Sequence, residues 1–98
     1  MGWFGSSVSG DEIHQVVLSH MQKFVGSPTE ILEQSYEQKF KDMLASLDEW
    51  ATGLKLGDWK RSSIVGSIET VMRNTYKGQF LDQTISQYVK LAQQVILQ

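Results

Sequence analysis

This chain of 98 residues contains no cysteine, one proline and two histidines. Without thiols it can form neither a disulfide nor a thiolate metal site. That absence suits a reducing compartment. The N-terminus also lacks the basic residues and apolar core of a secretory signal, so the expected setting is cytoplasmic. No apolar run approaches the ~20 residues that a membrane-spanning helix needs. Internal repeats and low-complexity tracts are missing too.

The usual carriers of chemistry are equally sparse. The chain has no glycine-rich phosphate loop followed by Lys-Ser or Lys-Thr, no calcium-loop pattern, and no serine in a recognisable nucleophile motif. His14 and His20 lie six positions apart, about 240° around a helix, so they cannot face one metal. No Glu-x-x-His pair supplies di-iron ligands. His20 falls seven residues after Ile13 on an apolar stripe and reads as a packing histidine, with His14 facing outward. Glu30, Glu33 and Glu37 line one side of a helix and read as a solvated face, with Lys41 placed to pair with Glu37. The expectation is a protein that is not an enzyme, with no cofactor and no metal.

What the chain does contain is amphipathic helix. Its 41% hydrophobic content supports a globular core. At this length only about 60–70% of the unfolded surface can be buried, so that core must be used efficiently. "SGDE" at residues 9–12 has capping-box form, Ser9 with Glu12. Ile13, Val16, Val17, Met21 and Phe24 then recur at helical spacing, and Gly26 can stop the run. In "GSPTE", Ser27 is a cap, Pro28 sits at the first helical position and Glu30 at the third. Tyr36, Phe40, Met43, Leu47, Trp50 and Leu54 follow as a heptad seam, which predicts a shallow helix–helix crossing.

Gly53 and Gly57 break that pattern. Asp58 is placed to cap a third helix with Ile64, Val65, Ile68, Val71, Met72 and Tyr76 on its apolar side. Gly66 lies inside it among Ser62, Ser63, Ser67 and Thr70, a small-residue patch that predicts a close helix approach. Gly78 ends this helix, and Leu81, Ile85, Tyr88, Val89, Ala92, Val95 and Ile96 line a fourth. No segment alternates as a half-buried strand would. The sequence thus predicts an all-α fold, a small antiparallel up-down four-helix bundle with helices near residues 10–25, 28–52, 59–76 and 80–97. A three-helix core with a docked or swapped helix is the alternative. Residues 9–98 form the domain, and residues 1–8 a flexible aromatic arm.

Charge divides the chain. Residues 1–49 carry eight acidic and three basic side chains, and residues 55–77 carry five basic and two acidic ones. The two parts are complementary, either within one domain or head-to-tail between copies.

Candidate contact residues follow from these patterns. In the opening "MGWFGSSVSG", Trp3 and Phe4 stand among glycines and serines that can act as a tether. Met1-Gly2-x-x-x-Ser6 matches the skeleton of an acylation signal at Gly2. No polybasic stretch supplies the second membrane signal, and a bulky aromatic at Trp3 departs from the signal's pattern. "KLGDWKRSS" sets Lys60 and Arg61 beside Trp59, an arrangement able to contact phosphate and stack a base. Three cations in an acidic chain make nucleic acid a disfavoured partner. The expected function is a helical protein–protein interaction module: an adaptor, small chaperone or assembly subunit, self-associating or binding another protein. The partner-binding residues would be Trp3, Phe4, Trp59, Lys60 and Arg61. The alternatives are a membrane-surface protein held by its N-terminus and a small regulator of nucleic-acid machinery.

Overall fold

The computed structural model describes residues 8–26 and 37–97. The N-terminal arm with Gly2, Trp3 and Phe4 lies outside the described residues. So does the expected second-helix start at Ser27, Pro28, Glu30 and Glu33, together with Tyr36 of the seam.

Four helices share one core. α1 is Gly10–His20, α2 is Glu37–Gly53, α3 is Asp58–Thr70 and α4 is Asp82–Ile96. No strand occurs among the described residues. α3 packs against α1 and α4, and α2 packs against α4 and the C-terminal turn of α1. Helix directions alternate along the chain. Lys60 at the start of α3 reaches Val8 just before α1, and Tyr76 beyond the end of α3 reaches Gly26 beyond α1. α1 and α3 are therefore parallel neighbours. Arg61 touches both Asp48 near the end of α2 and Ile96 at the end of α4, so those two helices run opposite to α3.

The capping box forms as its residues dictate. Ser9 Oγ accepts from the Glu12 amide at 3.1 Å, and Glu12 Oε1 accepts from the Ser9 amide at 3.0 Å. At α3 the expectation needs correction. Gly57, not Asp58, occupies the capping position with extended backbone, and no side chain caps the helix. Asp58 is the first helical residue, where its charge still complements the helix dipole. The break after α2 falls at Gly53 as expected, but the left-handed turn itself is not made by a glycine. Gly53 closes the helix, and Lys55 takes the left-handed conformation at φ 56°. The amides of Lys55 and Leu56 then return to the carbonyls of Thr52 and Ala51, the double closure that ends helices when one residue turns left-handed. α4 begins at Asp82, later than expected, because Gly78 at φ 83° turns the chain. Phe80 tucks into the core against Tyr76, and Leu81, expected on the apolar side, is 73% exposed.

Both parallel helices end in a five-residue π-turn, Met21–Val25 after α1 and Val71–Thr75 after α3. The cause is visible in their buried stripes. Ile13, Val17, Met21 and Val25 are buried, and so are Ile64, Ile68, Met72 and Tyr76. Both sets repeat every fourth residue. In a helix of 3.6 residues per turn that stripe drifts about 40° at each step. One wider turn recovers the phase and keeps the last member on the core face.

The seam on α2 is broader than a heptad. Phe40, Met43, Leu44, Leu47 and Ala51 are buried, whereas Trp50 and Leu54 are half-buried. This is the wider apolar stripe of a helix in a globular core rather than a coiled-coil seam. Phe40 stacks on Tyr88 of α4, with centroids 4.5 Å apart.

Gly66 gives another correction. It is exposed, and a β-carbon built there meets nothing within 4 Å. The small-residue patch therefore does not serve a close helix approach among the described residues. Gly66→Ala should raise stability by about 0.5–1 kcal/mol through helix propensity alone, read as a melting temperature higher by a few degrees.

Tyr76 is fully buried and donates its hydroxyl to the Gly26 carbonyl. Burial pushes its ionisation up to about 12. A phenol whose folded pKa exceeds its unfolded value of about 10 stabilises the fold below pH 10. That contribution fades as pH climbs from about 10 towards 12. Tyr76→Phe should lower stability at neutral pH by about 1 kcal/mol and flatten the alkaline loss. Urea titrations at pH 8 and at higher pH measure both effects.

Candidate functional site

The N-termini of α1 and α3 and the C-termini of α2 and α4 meet at one pole of the bundle, where the "DWKRSS" segment begins α3. Each of its three candidate residues has a different environment.

Trp59 is 70% exposed. It sits in the first turn of α3 and points away from a core supplied by Ile64, Val65 and Ile68. The Lys60 ammonium lies 5.2 Å from the centroid of the Trp59 ring, within cation–π range. The same ammonium donates to the Val8 carbonyl. Lys60 is thus half-buried, shared between an aromatic face and the chain entering α1. Trp59 is thus an exposed aromatic with a cation against its ring, and Leu97, 37% exposed, follows α4 at the same pole.

Arg61 turns inward. Its Nη1 donates to Asp48 Oδ1 at 2.8 Å and to the Ile96 carbonyl at 2.9 Å. Nη2 donates to Thr52 Oγ1 at 3.0 Å, and Nε approaches the Leu56 carbonyl at 3.4 Å. The side chain is only 16% exposed. A guanidinium has five N–H donors in a fixed fork, and here three of its nitrogens are engaged within the fold. Arg61 joins α2, the α2–α3 turn, α3 and α4.

Of the expected contact residues, then, the structure brings Trp59 and Lys60 together on the surface and commits Arg61 to the interior. Trp3, Phe4 and Gly2 lie outside the described residues, in the segment that leads into Val8. Sequence reasoning missed the Arg61 clamp because its side-chain partners and the Ile96 carbonyl stand 9 to 35 residues away.

His20 is half-buried between α1 and α2. Its Nδ1 lies 2.9 Å from the Val16 carbonyl and its Nε2 lies 3.1 Å from Ser46 Oγ. Its ring stacks on Phe24, with centroids 5.9 Å apart. His14, expected to face outward, is half-buried. Among the described residues, no three histidine, aspartate or glutamate side chains converge as a metal site, and no helix is long and apolar enough to cross a membrane. Glu37 pairs with Lys41 at 3.3 Å as its spacing predicts.

No family model, curated protein or solved structure matches this chain.

Removing the clamp should unsettle the pole. Arg61→Ala leaves Asp48 and the Ile96 carbonyl without their donor and should cost about 1–3 kcal/mol. Arg61→Lys should recover less than half of that, because an ammonium cannot span acceptors on three elements. Chemical denaturation of the two variants and the parent checks the order.

Proposed function

We propose that the protein is a helical interaction module, an adaptor, small chaperone or assembly subunit, rather than an enzyme of a conventional class. The observation that carries this reading is Trp59. A tryptophan that is 70% exposed and braced by a neighbouring ammonium has the character of an interface anchor, since Trp is enriched among residues that dominate binding energy. Lys60 also donates to the Val8 carbonyl, which puts Val8 at the same pole. On this reading Trp59 and the aromatics Trp3 and Phe4 of the N-terminal arm contribute to contact with another copy or a different protein, in a cytoplasmic setting.

Two alternatives are weaker on specific grounds. The nucleic-acid reading loses one of its few cations, because the Arg61 donors are engaged by Asp48, Thr52 and Ile96. The membrane reading depends on Gly2, Trp3 and Phe4 alone.

Light scattering on a sizing column at two concentrations tests the proposal. The parent, Trp59→Ala and a version lacking residues 1–8 are compared. Trp59→Ala should change stability by no more than about 0.5 kcal/mol, as exposed substitutions do, while reducing the assembled fraction. A parent that is monomeric at both concentrations removes self-association and leaves a foreign protein as the partner. A parent that co-sediments with liposomes through residues 1–8 replaces the proposal with the membrane reading.

A further inference from the structure

The outer face of α3 carries complementary groups that its own fold leaves unused. α3 packs against α1 and α4, with Ile64, Val65 and Ile68 buried. At 3.6 residues per turn, Trp59, Gly66 and Thr70 fall on the opposite side, and all three are exposed. Among the described residues nothing covers the middle of this face, since a β-carbon at Gly66 meets nothing within 4 Å.

The two ends of the face match each other. Seven residues before Gly66 stands Trp59, 70% exposed, with the Lys60 ammonium 5.2 Å from its ring centroid. Seven residues after Gly66 stands Arg73, whose side chain is 41% exposed. Arg73 Nε donates to Glu69 Oε2 at 3.0 Å, and Nη1 donates to Asp82 Oδ1 at 3.3 Å. A guanidinium donates in its own plane, so these bonds hold it in place and leave its flat face for an aromatic ring. Leu81, beside Asp82, is 73% exposed and adds apolar surface near that cation.

We propose that α3 pairs with α3 of a second copy, antiparallel, with the two-fold axis at Gly66. That register sets Trp59 of each copy against Arg73 of the other, so the same cation–π contact forms twice. It also brings Lys60 to the end where the other copy displays Asp82, whose side chain is 92% exposed. Parallel pairing would set Lys60 against Lys60 and Arg73 against Arg73, which like charge disfavours. Gly66 at the crossing lets the two backbones approach. Two helix faces make a contact at the small end of specific interfaces, so the pairing is reversible and concentration-dependent. The inference rests on the self-association form of the interaction reading and names its partner and its surface.

Sedimentation equilibrium on the full chain tests this, and the parent should be a monomer–dimer mixture. A β-carbon at position 66 is free of contacts within the chain, and leucine is the better helix former. Gly66→Leu should therefore be at least as stable as the parent in urea, while its bulk at the crossing weakens dimerisation by about tenfold or more. Trp59→Ala and Arg73→Ala should each weaken the dimer by about 5–30-fold, the worth of two cation–π pairs. The double variant should lose little beyond either one, because both remove the same contact. The chain has no cysteine, so Gly66→Cys reports proximity directly. With oxidised glutathione it should give a disulfide-linked dimer far faster than Gln94→Cys, at an exposed position on α4. A parent that stays monomeric at millimolar concentration overturns the proposal and leaves a foreign protein as the partner at Trp59. A dimer that Gly66→Leu leaves intact, with no faster cross-link in Gly66→Cys, also overturns it and leaves the interaction reading standing.

Discussion

A cation in the first turn of a helix opposes that helix's own dipole, yet α3 begins with Lys60 and Arg61 side by side. The fold resolves this conflict by bringing two helix C-termini to the same pole. Arg61 donates to the terminal carbonyl of α4 at Ile96 and to Thr52 and Asp48 in the last turns of α2. The positive charge therefore sits against the terminal carbonyl of α4, which no helical amide satisfies, and two side-chain oxygens of α2. α3 can start where it does because α2 and α4 both end there. Without that guanidinium the buried end of α4 at Ile96 would lose its donor, while Asp48 and Thr52 would turn to water. The same constraint leaves Trp59 no inward direction. With Arg61 turned in on one side and Lys60 drawn to Val8 on the other, the residue between α3's cap and its clamp is left on the surface.

The helical character of the chain was legible because it rests on local rules. The Ser9–Glu12 box, the Glu37–Lys41 pair and the apolar periodicities are written within four residues of each other, and each appears as such. The π-turns were legible in principle and went unread. Two apolar stripes repeating every fourth residue cannot stay on one face of a regular α-helix, and the structure widens one turn in each to keep Val25 and Tyr76 inside. What the sequence could not convey is which residue executes a turn. Gly53 and Gly57 both permit a break, but Lys55 adopts the left-handed angle, with the amides of Lys55 and Leu56 closing on Thr52 and Ala51.

The functional residues were legible only in part, for the same reason. Trp59, Lys60 and Arg61 are consecutive and look equivalent as a basic–aromatic cluster, but three neighbours on a helix point about 100° apart. One meets solvent, one bridges to the start of α1, and one enters the interface between helices. Their separate roles depend on Val8, Asp48 and Ile96, none of which is near in sequence. His20 shows the reverse case. Its place on the apolar stripe correctly suggested partial burial, but the side chain that engages its outer nitrogen, Ser46, comes from another helix. A histidine's chemistry is decided by what each of its two nitrogens meets, and only one of those partners, the Val16 carbonyl four residues back, was local.

Gly66 bears on how these features fit together. A glycine in the middle of α3, exposed and unopposed, costs helix stability with no return inside this fold. Its surroundings of Ser62, Ser63, Ser67 and Thr70 keep one side of α3 low and polar, and Trp59 stands at its N-terminal end. The core beneath is continuous from Ile64 to Tyr76, so the helix does not rely on propensity at Gly66 to hold its shape. Stability comes from the two buried four-residue stripes and from the clamp at the pole, which frees the outer side of α3 from any packing duty. A helix secured at its first turn by Arg61 and at its last by Tyr76 can carry a weak residue between them.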